Sequence, residues 1–467
     1  MKKHIKHIAM AAALMGVGIS TATAQELRTS YFMETSNFRH QMNPALLDQA
    51  YVGMPLLGNI NIGTTGNVGA ANFIYHNTGA NSSEYPLTTF MSPEVSALQF
   101  LNGLNDKNRL DIYANLNLLS VAFRGFGGVN LIELNTRSNS HITMPYEMFE
   151  FMKTTGSREQ YDLSGIGMRS HNYAELALGH SRAIGDKWRV GAKMKLLFGL
   201  AYADLTVDHM NVTLNGNEWK VDADARMQTA VMSSHIEHDN SAAPSPDGRP
   251  KFDDLEIEPG LGGFGVAFDL GATYKPIRDL ELSVGLTDLG FISWSKMNHA
   301  SSAGTYSFSG FEEDIYVNGT NTGTNEIGDQ LEQMGDDLEE LFSVYDDGQA
   351  KANSALAATL NIGAQYTLPA WRKLRFGFLY TSRIHGKYSW HEGMLSVNCR
   401  PTKWFEVAVN GAATSTGCTV GALVNLHAPH FNFYIGADRF MGKVSKEFIP
   451  LHSANSSINF GMTFPLK

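Results

Sequence analysis

From Phe264 to Lys275 the residues strictly alternate. Phe264, Val266, Phe268, Leu270, Ala272 and Tyr274 are apolar, and between them stand Gly265, Ala267, Asp269, Gly271, Thr273 and Lys275. Successive side chains on a strand point to opposite faces, so this period predicts a strand with one apolar face and one small, polar face. Lys275-Pro276-Ile277-Arg278-Asp279 then reverses the chain. Leu280, Leu282, Val284 and Leu286 resume the apolar face, and Glu281, Ser283, Gly285 and Thr287 take the other. A β-sandwich accommodates one such hairpin. The rings at its ends (Tyr274, Phe291, Trp294) fit a transmembrane barrel better, because aromatic side chains favour the membrane–water boundary.

Alternation and turn residues place further strands near 69–77, 111–124, 127–143, 171–184, 188–203, 260–275, 279–294, 354–367, 372–385, 390–400, 403–413, 417–427, 430–441 and 454–466. Their connections are of two kinds. Arg124–Gly127, Gly185–Lys187, Lys275–Asp279, Leu368–Trp371, Arg400–Lys403 and His427–His430 are tight, whereas 78–110, 144–170, 204–259 and 295–353 are long. A sandwich has no reason to sort its loops by end; an outer-membrane barrel has short periplasmic turns and longer external loops. The predicted fold is all-β, a transmembrane antiparallel β-barrel of about 14 strands in the outer membrane, with both termini periplasmic. Rings beside the tight turns (Phe126, Trp188, Tyr274, Tyr366, Trp371, Trp404, Phe431) and at the opposite ends (Trp294, Tyr388, Trp390, Phe440) predict two girdles.

Hydrophobic residues make up 43% of the chain, yet mean hydropathy is −0.18, as alternation dictates. Met1 to Ala24 reads as a secretory signal peptide: Lys2, Lys3 and Lys6, a short apolar run, then Ala22-Thr23-Ala24. No later run is long enough for a helical span. Residues 25–67 form an N-terminal segment and 68–467 the barrel. A net charge of −10 argues against a nucleic-acid partner. Cys399 and Cys418 fall at opposite ends of the strand between them, roughly 30 Å apart at about 3.3 Å per residue, and no bridge joining them is expected.

The N-terminal segment is too apolar for a solvated tail and too irregular for a membrane strand. It carries Tyr31, Phe32, Met33, Phe38, Leu46, Leu47, Tyr51, Met54, Leu56 and Leu57. One reading folds Glu26 to Leu57 into the lumen as a plug. The other makes Met54–Thr64 an extra strand and leaves 26–53 as a periplasmic arm. In the long loops, helices are expected from Ser92-Pro93-Glu94 to Leu104, over Pro145–Lys153, and on the acidic stretch carrying Ile327, Leu331, Met334, Leu338 and Leu341.

Signatures of chemistry fail on context. Gly260, Gly262 and Gly265 spell G-x-G-x-x-G but lead into a strand, where dinucleotide binding needs a helix. His235 and His238 lack a third ligand fixed by sequence, and His427 and His430 flank a turn. No catalytic constellation is assembled, so neither enzymatic activity nor a cofactor is expected. By register Glu175, Lys193, Lys195, Asp269, Lys275, Glu281, Arg375, Glu406 and Asp438 point into the lumen, in both signs. That mixture argues against strong ion selectivity and suits either hydrated or salt-bridged packing that holds the N-terminal segment or a polar-lined path for a solute.

Three stretches carry a family resemblance: Ser30-Tyr31-Phe32-Met33 with Arg39-His40-Gln41-Met42-Asn43-Pro44-Ala45, then Gly179–Gly199, then Phe264–Trp294. The mature chain resembles an uncharacterised family of Gram-negative outer-membrane barrels with a domain-of-unknown-function label. That family is distantly similar to the FadL-type fatty-acid channels and to PorV-like proteins of type IX secretion. The resemblance implies that Asn43, Pro44 and Ala45 belong to a segment folded into the lumen. It also implies two functions. One is transport of a small solute, a hydrophobic one among the candidates, across the outer membrane. The other is an assembly role, binding secreted or membrane proteins through external loops.

Overall fold

A computed structural model describes residues 27–69, 72–79, 82–83, 87–215, 218–231, 233–238, 244–258, 261–308, 316–317, 343–414, 417–439 and 456–466. The signal peptide and the acidic helix expected around 327–341 lie outside them. The wall is a closed barrel of 14 antiparallel strands. In chain order, β1 has two pieces, Tyr51–Gly53 and Ile60–Gly66. β2 is Lys107–Gly125, β3 Gly128–Pro145, β4 Gly167–Ile184, β5 Trp188–Asn215, β6 Gly263–Ile277 and β7 Leu280–Ser301. β8 is Tyr345–Ala355 continued by Ala358–Thr367. β9 is Leu374–Ile384, β10 Trp390–Cys399, β11 Phe405–Thr414, β12 Gly417–His427, β13 Asn432–Ala437 and β14 Ser456–Pro465. Neighbours pair in sequence order, and β1 closes the wall between β14 and β2.

The alternation acts as predicted. Phe264, Val266, Phe268 and Leu270 are exposed on the outer face, while Ala267, Asp269 and Thr273 are buried on the inner one. The same parity brings Leu178, Met194, Val284, Ile362, Phe378, Leu395, Val409, Val424, Ile435 and Ile458 outward from the other strands. A closed wall with an apolar outer belt and no free edge is how strands cross a bilayer. The protein is an outer-membrane barrel, solvated by lipid around that belt.

Tight turns end the strands on one side. Phe126 and Gly127 both have positive φ, 53° and 75°, the conformation of a two-residue hairpin turn whose twist matches its strands. Phe126, Trp188, Tyr366, Trp371, Trp404 and Phe431 are exposed at this end, with Tyr274 stacked on Trp188 at 4.4 Å. The second girdle does not form as predicted. Trp294, Tyr388 and Trp390 are buried inside the wall, and Phe440 lies outside the described residues. For Trp294 the cause is a bulge. The β6–β7 register shifts between Phe268↔Leu289 and Leu270↔Leu286, with Asp288 at φ 59°. A one-residue slip exchanges faces, so beyond Asp288 the odd-numbered Leu289 and Phe291 face lipid and Trp294 turns inward.

The first strand also lies elsewhere than predicted. Ile74–His76 is not in the wall; it pairs with Leu87–Thr89 in a small separate sheet. The wall position is taken by 51–66, so the N-terminal segment that precedes the barrel ends near residue 50 and not at 67. The reading of Met54–Thr64 as an extra strand comes nearer, although residues 54–59 bulge out of the ladder and expose Leu56 and Leu57. Beyond the outer side the wall continues well past the bilayer. β5 alone has 28 residues, roughly 90 Å at about 3.3 Å per residue. There Glu218–Val231 pairs with β5 and the end of β7. Two helices, α1 (Ala97–Leu101) and α2 (Tyr146–Thr154), join this region. α1 starts later than predicted because Ser96, not Ser92, caps it by accepting from Gln99 N–H. Phe90, Phe100, Phe149 and Phe151 form an apolar core there with Met210 and Val221.

Candidate functional site in the barrel lumen

Residues 27–50 occupy the inside of the wall and are buried along almost their whole length. The segment is built of short turns, Arg28–Ser30, Asn37–Gln41 and Pro44–Leu46, each presenting apolar side chains to inward-facing wall residues. Tyr31, Phe32, Met42 and Leu46 pack on Leu379, Met394 and Ala412. Leu27, Met33, Phe38 and Leu47 pack on Leu131, Ala408, Leu423 and Tyr434.

Asn43, Pro44 and Ala45 lie at the centre of the contact. A residue before proline is biased to extended backbone, and Asn43 has φ −154° and ψ 107°. Its side-chain oxygen accepts from Ala45 N–H at 3.0 Å, and its amide donates to the Tyr31 hydroxyl at 3.2 Å. The wall makes room with glycine. A Cβ on Gly271 would lie 2.0 Å from Asn43 Oδ1, one on Gly191 2.4 Å from Pro44, and one on Gly285 2.6 Å from Met42 O. These glycines are direct cross-strand partners, Gly191↔Gly271↔Gly285 on β5, β6 and β7. They form a trough in which backbone lies against backbone. We therefore expect Gly271→Val to leave the barrel closed but to displace the segment. Protease added to purified protein should then cut within 27–50, while Gly411→Val, a site with open space around its Cβ, should remain resistant. Equal resistance of the two variants would remove the trough's role.

The inward-facing charges predicted from register group into ion-paired clusters. Asp438 accepts from the backbone N–H groups of Arg28 (2.8 Å) and Thr29 (2.7 Å) and from the Thr29 hydroxyl. Glu406 accepts from the Thr35 hydroxyl at 2.6 Å and pairs with Arg375 at 3.0 Å. Lys193 lies 3.4 Å from Glu133 and donates to His40 at 2.8 Å. Lys195 lies 2.9 Å from Asp269, 2.6 Å from Asp288 and 3.9 Å from Glu175. Glu281 sits apart at the periplasmic rim, half-exposed and paired with Lys275 at 3.0 Å. Low dielectric makes an unpaired buried charge expensive, which is why both signs occur together.

Sequence parity did not reveal several members of these clusters. Asp288 sits on the bulge where parity fails. Arg28 and His40 lie in turns that have no parity. Glu392 and Arg439 are buried and 3.0 Å apart, and Arg28 is 2.9 Å from the same Glu392. Inward parity on β10 would have found Glu392. Elsewhere, the His238 ring pairs with Asp346 at 2.9 Å; the side chain of His235 lies outside the described residues.

The description "family of unknown function (DUF5723)" matches residues 44–438. No curated protein matches the chain. Solved structures similar to it include the Ralstonia pickettii toluene transporter TbuX, 8% identical, covering 96% of this chain and 95% of that chain at a TM-score of 0.40. The Pseudomonas putida toluene transporter TodX is 8% identical with coverages of 96% and 95% and a TM-score of 0.38. A Pseudomonas aeruginosa FadL homologue is 10% identical, with coverages of 92% and 91% and a TM-score of 0.37.

Proposed function

The chain belongs to the DUF5723 family of unknown function, and from that premise we propose an outer-membrane channel that passes a small solute beside a luminal plug. The plug is the segment 27–50, with Asn43-Pro44-Ala45 as its seat. The observation that carries this reading is how the segment is held. It is seated on glycine and on reversible polar contacts, with Asn361 donating to Met42 O and Asn432 to Thr35 O, and it has no cysteine to form a disulfide. A barrel of this size encloses more space than its own side chains fill. A filler held in this way rearranges once water enters to solvate the groups it leaves. The apolar luminal surface is already covered by the segment's own rings, so the solute favoured here has a polar part.

A second reading rests on the outer extension, whose aromatic core around Phe90, Phe100 and Phe149 makes a body beyond the membrane. A protein that assembles partners outside the cell would use such a body. Liposome swelling separates the two. Channel function predicts swelling of protein-bearing vesicles in small polar solutes at a rate above that of empty vesicles. No swelling in any solute, together with a protein that stays bound through size-exclusion chromatography from native membranes, favours the assembly role.

A further inference from the structure

On the outer side of the segment the lumen keeps a small cavity lined by Arg137, Asn139, His171, Asp288, Arg383 and His385, among others. Its volume is about 20 Å³, enough to seat one small group. Most of its charge is already answered. Arg137 donates to Glu175 at 3.1 Å, and Asp288 lies 2.6 Å from Lys195. Arg383 is different. One guanidinium nitrogen donates to the Asn139 side-chain oxygen at 3.1 Å, its buried Nε has no hydrogen-bond partner, and it forms no ion pair among the described residues. His385, 7% exposed, has no hydrogen-bond partner at either ring nitrogen. Its neighbours are the rings of His141 at 5.1 Å and Tyr388 at 5.9 Å. The buried Tyr388 hydroxyl also lacks a partner, as does Nε2 of His141, whose Nδ1 meets Asp111 at 2.8 Å.

Buried polar atoms in folded proteins are hydrogen-bonded almost without exception. Arg383 Nε and both ring nitrogens of His385, orphaned on the lining of one void, therefore mark the place of a partner. Water would satisfy the bonds alone; an anion would also answer the part of the Arg383 charge that Asp288, shared with Lys195 and Arg137, leaves over, and charge-assisted hydrogen bonds from guanidinium are among the stronger polar contacts. We propose that this cavity binds a small anionic group, a carboxylate or a halide, between Arg383 and His385. Arg383 supplies the charge and a free N–H, His385 supplies a second N–H in its neutral form, and Asn139 holds the guanidinium in place. This deepens the channel reading and rests on it for a role: the cavity is then where the charged end of a solute pauses above the plug.

Isothermal titration of the purified intact protein with acetate, chloride and the neutral analogue acetamide tests the site. Saturable binding of acetate or chloride and none of acetamide is expected; the stronger of the two anions identifies the class. Arg383→Gln should weaken anion binding by about tenfold or more, the loss of one charged hydrogen bond. Arg383→Lys should recover part of the affinity, and Arg226→Gln, on the outer extension, should bind like the intact chain. If Arg383→Gln fails to give the heat-modifiable band of a closed barrel, His385→Ala carries the same expected loss. No saturable anion binding, or equal affinity in a folded Arg383→Gln protein, overturns the proposal. Binding without vesicle swelling would leave the site standing and remove the channel. Swelling without binding would do the reverse.

Discussion

Deleting residues 27–50 is expected to convert the reconstituted barrel into a persistently open pore, with conductance up by roughly an order of magnitude as the lumen of a barrel this size empties. The wall does not need the segment for its ladders. The pairing of β1 with β14 and β2 uses Tyr51–Gly53 and Ile60–Gly66, all of which the deletion keeps. What it removes is the counterpart of several buried groups: the N–H donors on Asp438, the Thr35 hydroxyl on Glu406, and the His40 ring on Lys193. Water entering the emptied lumen solvates those groups, so the loss is one of stability and not of fold. The truncated barrel should therefore still shift on heating in a gel, but at a lower temperature than the full chain. Single-channel recording in planar bilayers reads the outcome. A truncated, folded barrel that conducts no more than the intact one would mean that the segment does not obstruct the path.

The second large effect concerns the outer face. Val266→Arg and Val284→Arg are each expected to abolish stable insertion, while Thr273→Arg is not. Val266 and Val284 face lipid on neighbouring strands, 37% and 45% exposed, and Arg near the bilayer midplane costs roughly 2–4 kcal/mol. That is a large part of the net stability of a folded domain. Thr273 is buried on the inner face and pairs with Ser283 on one side and Arg189 on the other. An Arg there crowds the trough near Gly271 but stays among polar groups. Heat-modifiable migration on gels is the measurement. Loss of the folded band for Thr273→Arg alone would mean that the register is shifted by one residue.

The lipid-facing half of this molecule was legible because one bit of information, inside or outside, repeats every second residue. Phe264 to Tyr274 states that bit six times over, and the inward Glu175, Lys195 and Asp269 follow from it without any knowledge of their partners. Legibility ended where parity was interrupted. Asp288 shifts the register of β7, so Trp294, which reads as a girdle ring, is found in the lumen with its indole N–H donating to Ser354 at 2.8 Å. Residues 54–59 interrupt β1 in the same way, so that only Ile60 and Ile62 state its outward face and the reading of Met54–Thr64 as a strand stayed the rival one. The seat of the segment was hidden for another reason. Gly191, Gly271 and Gly285 look like ordinary small lumen residues, and only the folded wall shows that they line up beneath Asn43 and Pro44. Contacts such as Thr29 with Asp438, separated by 409 residues, leave no local trace.

A cylinder of strands becomes a cylinder only when its first staves meet its last, and here the first stave is broken in two. β1 meets β14 over three residues at Tyr51–Gly53 and five at Ile60–Thr64, whereas the neighbouring β2 pairs with β3 along 18 residues. The segment just before β1 reaches across that join from within. Asn37 donates to Thr463 of β14 at 2.6 Å, the Thr35 carbonyl accepts from Asn432 of β13 at 2.7 Å, and Arg28 and Thr29 grip Asp438 just beyond β13. Every one of these anchors comes from the last strands to be synthesised. The segment can rest on the glycines of β5, β6 and β7 earlier, but its grip across the join must wait until the latest part of the chain arrives. Contacts of such sequence separation form slowly, so the joining of the two chain ends and the fastening of the N-terminal turns across that join are one late event in the birth of the protein.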